Sequence, residues 1–189
     1  MQELIAHIEK YIPNLNQEIK QDIVQSFTLK KLAKGEHLVK EGQISKNVYF
    51  VKQGLLRNYI IKNDKDETIW FFFPQDFITV FSSFQLQIPG RENTIALTNC
   101  ELYYISFEKL EKLNAQSHAW ERLSRIFTVQ FAIQQETRLF MLQTMDAEEK
   151  YDFLGEHFPH IIQQIPNKYV ASYLGITRET LSRIRARKT

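Results

Sequence analysis

The chain has 189 residues, 43% hydrophobic and 24% charged, with a net charge of +2; this is ordinary for a folded globular protein and excludes a disordered or low-complexity chain. No apolar run approaches the roughly 20 residues that span a bilayer, and the N-terminus carries Glu3 and Glu9 without the apolar stretch of a secretory leader. One cysteine, Cys100, excludes an internal disulfide and a multi-cysteine zinc or iron–sulfur site within one chain, which points to a reducing, cytoplasmic setting.

Residues 1–25 place Leu4, Ile5, Ile8, Ile12, Leu15, Ile19 and Ile23 at mostly helical spacing, interrupted at Pro13. From Phe27 to about Phe107, short β-branched and aromatic stretches alternate with glycines and charged turns. Strands are predicted at 37–40, 48–52, 55–62, 67–73, 94–97 and 101–106, with Asn63-Asp64-Lys65-Asp66 as a hairpin tip. Many short strands at regular spacing predict a small antiparallel barrel or roll.

Residues 108–145 lack proline and glycine and predict a long helix, with Ser106 or Ser117 as caps and a break near Ser117. Trp120, Leu123, Phe127, Phe131, Gln134, Arg138, Met141 and Met145 recur every three or four residues, and Ile126, Val129, Ile133 and Phe140 form an adjoining apolar set. A helix apolar on two sides has more to bury than one roll covers. We therefore expect a dimer seam along Trp120, Leu123, Phe127, Phe131, Gln134 and Met141, the alternative being a helix covered wholly by its own chain. Asp146-Ala147-Glu148-Glu149 reads as the acidic first turn of a further helix, ending near Pro159.

Residues 166–189 hold six basic side chains against Glu179 alone, so a near-neutral body carries a basic end. A polyanion partner and a solvated basic tail fit that charge equally well. The sequence from Ile165, I-P-N-K-Y-V-A-S-Y-L-G-I-T-R-E-T-L-S-R-I-R-A-R-K, is more informative. Ala171 is small enough for a close helix crossing, and Gly175 sits where a tight turn needs positive φ. Val170, Leu174, Ile176, Leu181 and Ile184 form the facing apolar set, and Thr177 caps the second helix. That arrangement turns Arg178, Glu179, Ser182, Arg183 and Ala186 outward. Arginine and glutamate can read guanine and cytosine edges in a major groove, while Lys168, Thr177, Arg185, Arg187 and Lys188 are placed to hold phosphates. An ordinary helical hairpin with a basic surface is the competing reading.

L-A-K-G-E-H-L-V-K-E-G-Q with V-Y-F-V-K-Q-G-L-L-R, then F-F-F-P-Q-D-F-I, then T-R-E-T-L-S-R-I, resemble in order the β-roll, the approach to the phosphate cassette and the recognition helix of the Crp/Fnr family of transcription regulators. The resemblance covers nearly the whole chain. It implies an α+β fold in three parts: an N-terminal helix and antiparallel, cyclic-nucleotide-binding-like β-roll (1–107), a long dimerisation helix (108–145) and an all-α helix-turn-helix domain (146–189). It implies a homodimer on palindromic double-stranded DNA, with Arg178, Glu179 and Arg183 on base-reading positions and Thr177 on a phosphate position. RNA polymerase is a further partner that the family implies, although no residue marks the surface for it.

Two departures qualify the resemblance. The nucleotide-binding members hold the cyclic phosphate with a Gly-Glu pair and, some ten residues on, an Arg-Ser pair. Here these align with Thr79-Val80 and Glu92-Asn93, and a preceding glycine is replaced by Gln75. Val80 has no acceptor for a ribose hydroxyl, Glu92 repels phosphate, and Arg91 substitutes only if the loop shifts. We expect no tight cyclic-AMP binding and no resident cofactor or metal, and the effector is unidentified. Cys100 reads as a small buried hydrophobe. The second departure is that the sequence stops at Thr189, where many relatives continue into a β-hairpin wing. The competing function is a small-molecule-binding roll or an enzyme whose terminal helices merely pack. No catalytic triad, paired carboxylates or metal-ligand spacing stands out in its favour.

Overall fold

The structure is a computed structural model that describes residues 1–13 and 15–188. It resolves into two compact units, one formed by Met1–Ile60 with Phe71–Thr128 and one by Ile61–Trp70 with the chain from Val129 onward.

In the first unit, α1 (Gln2–Glu9) and α2 (Gln17–Ser26) flank the break at Pro13; the Asn16 side chain caps α2 by accepting from the Ile19 amide at 2.8 Å. The roll is two four-stranded sheets, ordered β1-β8-β3-β6 and β2-β7-β4-β5. Its strands are β1 (Thr28–Leu32), β2 (His37–Val39), β3 (Asn47–Gln53), β4 (Leu56–Lys62), β5 (Lys65–Phe72), β6 (Phe77–Ile78), β7 (Asn93–Ala96) and β8 (Cys100–Ser106). The recorded strand pairs are antiparallel. A short helix, α3 (Phe81–Leu86), follows β6. Asn63 and Asp64 turn the β4–β5 hairpin with φ of 50° and 59°, the backbone of a two-residue primed turn. At Gly54, φ is 104° and an added Cβ would lie 2.5 Å from Cys100 Sγ, so only glycine lets this turn approach β8.

The predicted helix 108–145 is two helices, α4 (Phe107–Gln116) and α5 (His118–Thr144). They meet at Ser117, whose amide closes α4 on Leu113 O (3.0 Å) and whose carbonyl receives the Glu121 amide (3.1 Å). Ser106 caps α4 by accepting from the Lys109 amide. The core of the unit gathers Leu4, Ile8, Ile19, Ile23, Phe50, Ile105, Leu113, Trp120 and Leu123.

The second unit contains the hairpin tip, the end of α5, and α6 (Ala147–His157), α7 (Pro159–Gln164), α8 (Asn167–Leu174) and α9 (Arg178–Lys188). Asp146 and Glu149 form a reciprocal capping box at the start of α6. Leu154, Ile161, Ile165, Val170, Ala171, Leu174, Leu181 and Ile184 are all at most 5% exposed, and each large aliphatic among them contributes about 1.5–3 kcal/mol of burial.

Candidate nucleic-acid interface and ligand cassette

The turn between α8 and α9 is built on Gly175 at φ 68°. Its amide donates to Ser172 O (3.1 Å) and the Ile176 amide to Ala171 O (3.0 Å), a Schellman closure that satisfies two of the last carbonyls of α8. Thr177 then caps α9, its hydroxyl accepting from the Thr180 amide at 3.1 Å. Val170, Ala171, Leu174, Leu181 and Ile184 are buried as the facing set, whereas Ile176 is half-buried. Arg178, Glu179, Ser182, Arg183 and Ala186 are exposed together on α9. Hydrogen bonding from its own amide and from Thr177 holds the Glu179 carboxyl below its ordinary range, with Arg178 and Arg183 adding to the effect. Glu179 therefore presents a charged acceptor beside two cationic donors.

The expected phosphate contacts divide. Lys168 and Thr177 are exposed, the Lys168 ammonium lying 4.4 Å from the Tyr169 ring centre. Arg185 donates to the Asn167 carboxamide, and Lys188 pairs with Asp152 and, at 3.5 Å, with Glu148. Arg187 lies 3.9 Å from Glu148. Among the expected phosphate contacts, Arg185 and Lys188 thus already hold partners within the chain. Each is engaged by a neighbouring helix that carbon spacing along α9 does not reveal, and a phosphate must compete with those partners.

The dimer-helix residues need a larger correction. Trp120 is 1% exposed, with its indole donating to Asp22 at 3.2 Å, and Leu123 is 5% exposed; both lie in the core of the first unit. Met141 is 1% exposed and Phe131 half-buried. Phe127 packs on Phe77 (ring centres 4.3 Å) and His7 (6.2 Å). Of the expected seam only Gln134 is exposed. The open apolar stripe is instead the adjoining set: Val129, Ile133 and Phe140, exposed by 48%, 55% and 58%. The bulkiest repeat was drawn into the protomer's own cores, and the other was left outside.

At the cassette, Val80 is 1% exposed and precedes the first residue of α3 without any side-chain cap there. The Thr79 hydroxyl is 3.1 Å from Ser45 Oγ and donates to Asn47 O. Glu92 accepts from the Asn58 carboxamide at 2.5 Å, and buried Asn93 accepts from the Glu41 amide. Arg91 is exposed. Among these side chains Val80 brings no hydrogen-bonding group and Glu92 brings a carboxylate, which repels rather than binds a phosphate. Gln75 keeps a glycine-like backbone at φ 80°, with its carboxamide oxygen accepting from Lys10 at 2.8 Å.

Cys100 is 3% exposed, donates to Thr98 O at 3.2 Å, and has its thiol pushed up by burial, the setting of an unreactive thiol. His157 is exposed and stacks on Phe153, while His160 is half-buried. Among the described residues no three His, Cys, Asp or Glu side chains gather as a metal site. One feature that sequence reasoning assigned no role is Arg138, which reaches α8 and the hairpin tip. The signal for it was a charged side chain in register with the apolar repeat of α5.

Residues 29–117 match the cyclic nucleotide-binding domain family. Over 171 aligned residues the chain is 25% identical to the fumarate and nitrate reduction regulatory protein of Yersinia pestis, covering 84% of this chain and 67% of the relative, so it spans about two thirds of that protein's length. Its fold is similar to that of FixK2 from Bradyrhizobium japonicum, with a TM-score of 0.72 and 19% identity over 85% of this chain and 83% of that one. It is likewise similar to a protein from Eubacterium rectale described as a transcriptional regulator of the Crp/Fnr family, with a TM-score of 0.70 and 19% identity over 90% and 82% of the two chains. Over residues 29–117 the chain is thus similar to cyclic nucleotide-binding domains, and it shares its fold with FixK2 and the Eubacterium rectale protein.

Proposed function

We propose that this protein is a sequence-specific transcription regulator that reads double-stranded DNA with α9 and acts in the cytoplasm as a homodimer, without catalytic activity. The observation that carries this reading is the Gly175-hinged helix pair, which buries one face and leaves Arg178, Glu179, Ser182 and Arg183 outward on one helix. Lys168 and Thr177 supply the phosphate contacts that position the helix. Arg187 joins them, while Arg185 and Lys188 do so on exchange with their internal partners. The exposed Val129, Ile133 and Phe140 stripe is the pairing face. Two-fold pairing calls for a palindromic operator with half-sites about 34 Å apart. The cassette around Val80 and Glu92 disfavours cyclic AMP, so activation by that nucleotide is not part of the proposal.

Fluorescence-anisotropy titration of a labelled duplex across a salt series tests the reading. Phosphate contacts release counterions, so log affinity should fall linearly with log salt, with a slope of about −0.9 per phosphate neutralised. Affinity that does not depend on salt contradicts DNA binding and favours a roll whose helices merely pack.

A further inference from the structure

The tip of the β4–β5 hairpin, Ile61–Trp70, falls in the matched cyclic nucleotide-binding domain by sequence, yet it packs in the same compact unit as the DNA-reading helices. Its backbone is gripped there on two sides. The Thr68 amide donates to Ser172 Oγ on α8 at 2.8 Å, and the Ser172 hydroxyl donates on to Asp66 O at 3.4 Å. The Thr68 carbonyl accepts from Arg138 Nη2 on α5 at 3.2 Å. Arg138 Nη1 donates at 3.3 Å to Tyr173 O, one of the carbonyls in the last turn of α8 that lack a helical partner. The guanidinium carbon sits 4.1 Å from the Tyr173 ring centre, and Trp70 packs edge-on against Tyr173 and Phe158. A planar fork that stacks while donating to two carbonyls is a task for arginine that lysine does not perform.

We propose that Arg138 is a positioning residue for the DNA-reading helices: with Ser172 it clamps the hairpin tip to α8, so that a segment of the cyclic nucleotide-binding domain itself sets where α8 and α9 are held. Arg138 caps α8 from outside, next to the carbonyls that the Gly175 turn satisfies, and the same side chain fixes Thr68. The clamp deepens the DNA-reading proposal and rests on it for its consequence, though not for its existence.

The test uses the full chain, with Arg138→Lys and Ser172→Ala, both mild enough to leave the cores intact. Amide hydrogen exchange is measured without DNA, followed by affinity for a duplex selected by the wild type. The clamp predicts about tenfold or faster exchange at the Thr68 amide and the last turn of α8 in each variant, with exchange in α2 unchanged. It predicts about fivefold weaker DNA binding in each, and a double variant losing less than the product, because both residues act on one hairpin. Unchanged exchange at Thr68 in both variants overturns the clamp. Faster exchange with undiminished DNA affinity overturns the positioning role. A wild type that binds no duplex removes the DNA-reading proposal and the positioning role with it, while the exchange arm still decides whether the clamp exists.

Discussion

Gly175 shows how one backbone dihedral governs the α8–α9 pair. An added Cβ meets no atom within 4 Å, so the cost of Gly175→Ala is conformational alone, about 1–2 kcal/mol from the φ of 68°. Chemical denaturation should show that loss, with Gly175→Asn milder. On α9, Arg178→Ala and Arg183→Ala should each cost about 1–3 kcal/mol on the selected operator and little on random duplex. Lys168→Ala should weaken both alike and reduce the salt slope by about one. Equal losses on both DNAs for Arg178→Ala would contradict its base-reading role. Lys188→Ala differs from the other phosphate candidates, because it also releases the pairing with Asp152 and Glu148. Asp76 offers a test in pH. Burial pushes its carboxyl up to about 6 despite the Phe73 amide it accepts from. The folded state therefore holds this proton more tightly than the unfolded chain, whose carboxyl titrates near about 4. Stability from this site is fully present below that pH and falls as pH rises through 6. Thermal melts of wild type and Asp76→Asn should diverge over that interval, the variant losing less.

Helix α5 carries two apolar repeats on one backbone, and the elements around it decide what each does. Trp120 and Leu123 close the core against α1 and α2, so Trp120→Ala should cost about 3–5 kcal/mol of protomer stability. Ile133→Asp with Phe140→Asp should instead shift sedimentation from dimer to monomer while the protomer melts nearly as before. A double variant that stays dimeric places the pairing face elsewhere. The sequence could not separate these two roles, since a repeat of three and four residues looks the same whether its own chain or a partner covers it. The helix pair at the end was legible residue by residue, because its small residue, its positive-φ turn and its facing apolar positions are local constraints. The roll was legible in its longer strands and in the Asn63-Asp64 tip. Strand β1 was not, because Thr28–Leu32 is an edge strand whose pattern is mostly exposed and whose place comes from its ladder to β8. Strand β6 was too short to show a period, and α3 depends on the loop packing around Ser83 rather than on any helical signal of its own. The inward pairing of Arg185 and Lys188 is tertiary, and so is the Arg138 clamp.

Across the whole molecule, the terminal helix pair and the segment around Val80 and Glu92 stand differently toward the resemblance. The α8–α9 pair keeps each steric element that the resemblance implies and presents the expected face. At the segment that the resemblance aligns with the cassette, Glu92 is bonded to Asn58 and Val80 is buried at the start of α3. On the proposed function, such a chain would keep the DNA readout while its roll answers to a ligand other than a cyclic phosphate or serves as a scaffold. Selection of bound fragments from a random duplex pool, with and without cyclic AMP, tests that account most directly. Enrichment of one palindrome, with half-sites about 34 Å apart, is expected equally in both arms. Enrichment only when the nucleotide is present contradicts the reading of Val80 and Glu92, and no enrichment in either arm contradicts DNA reading by α9.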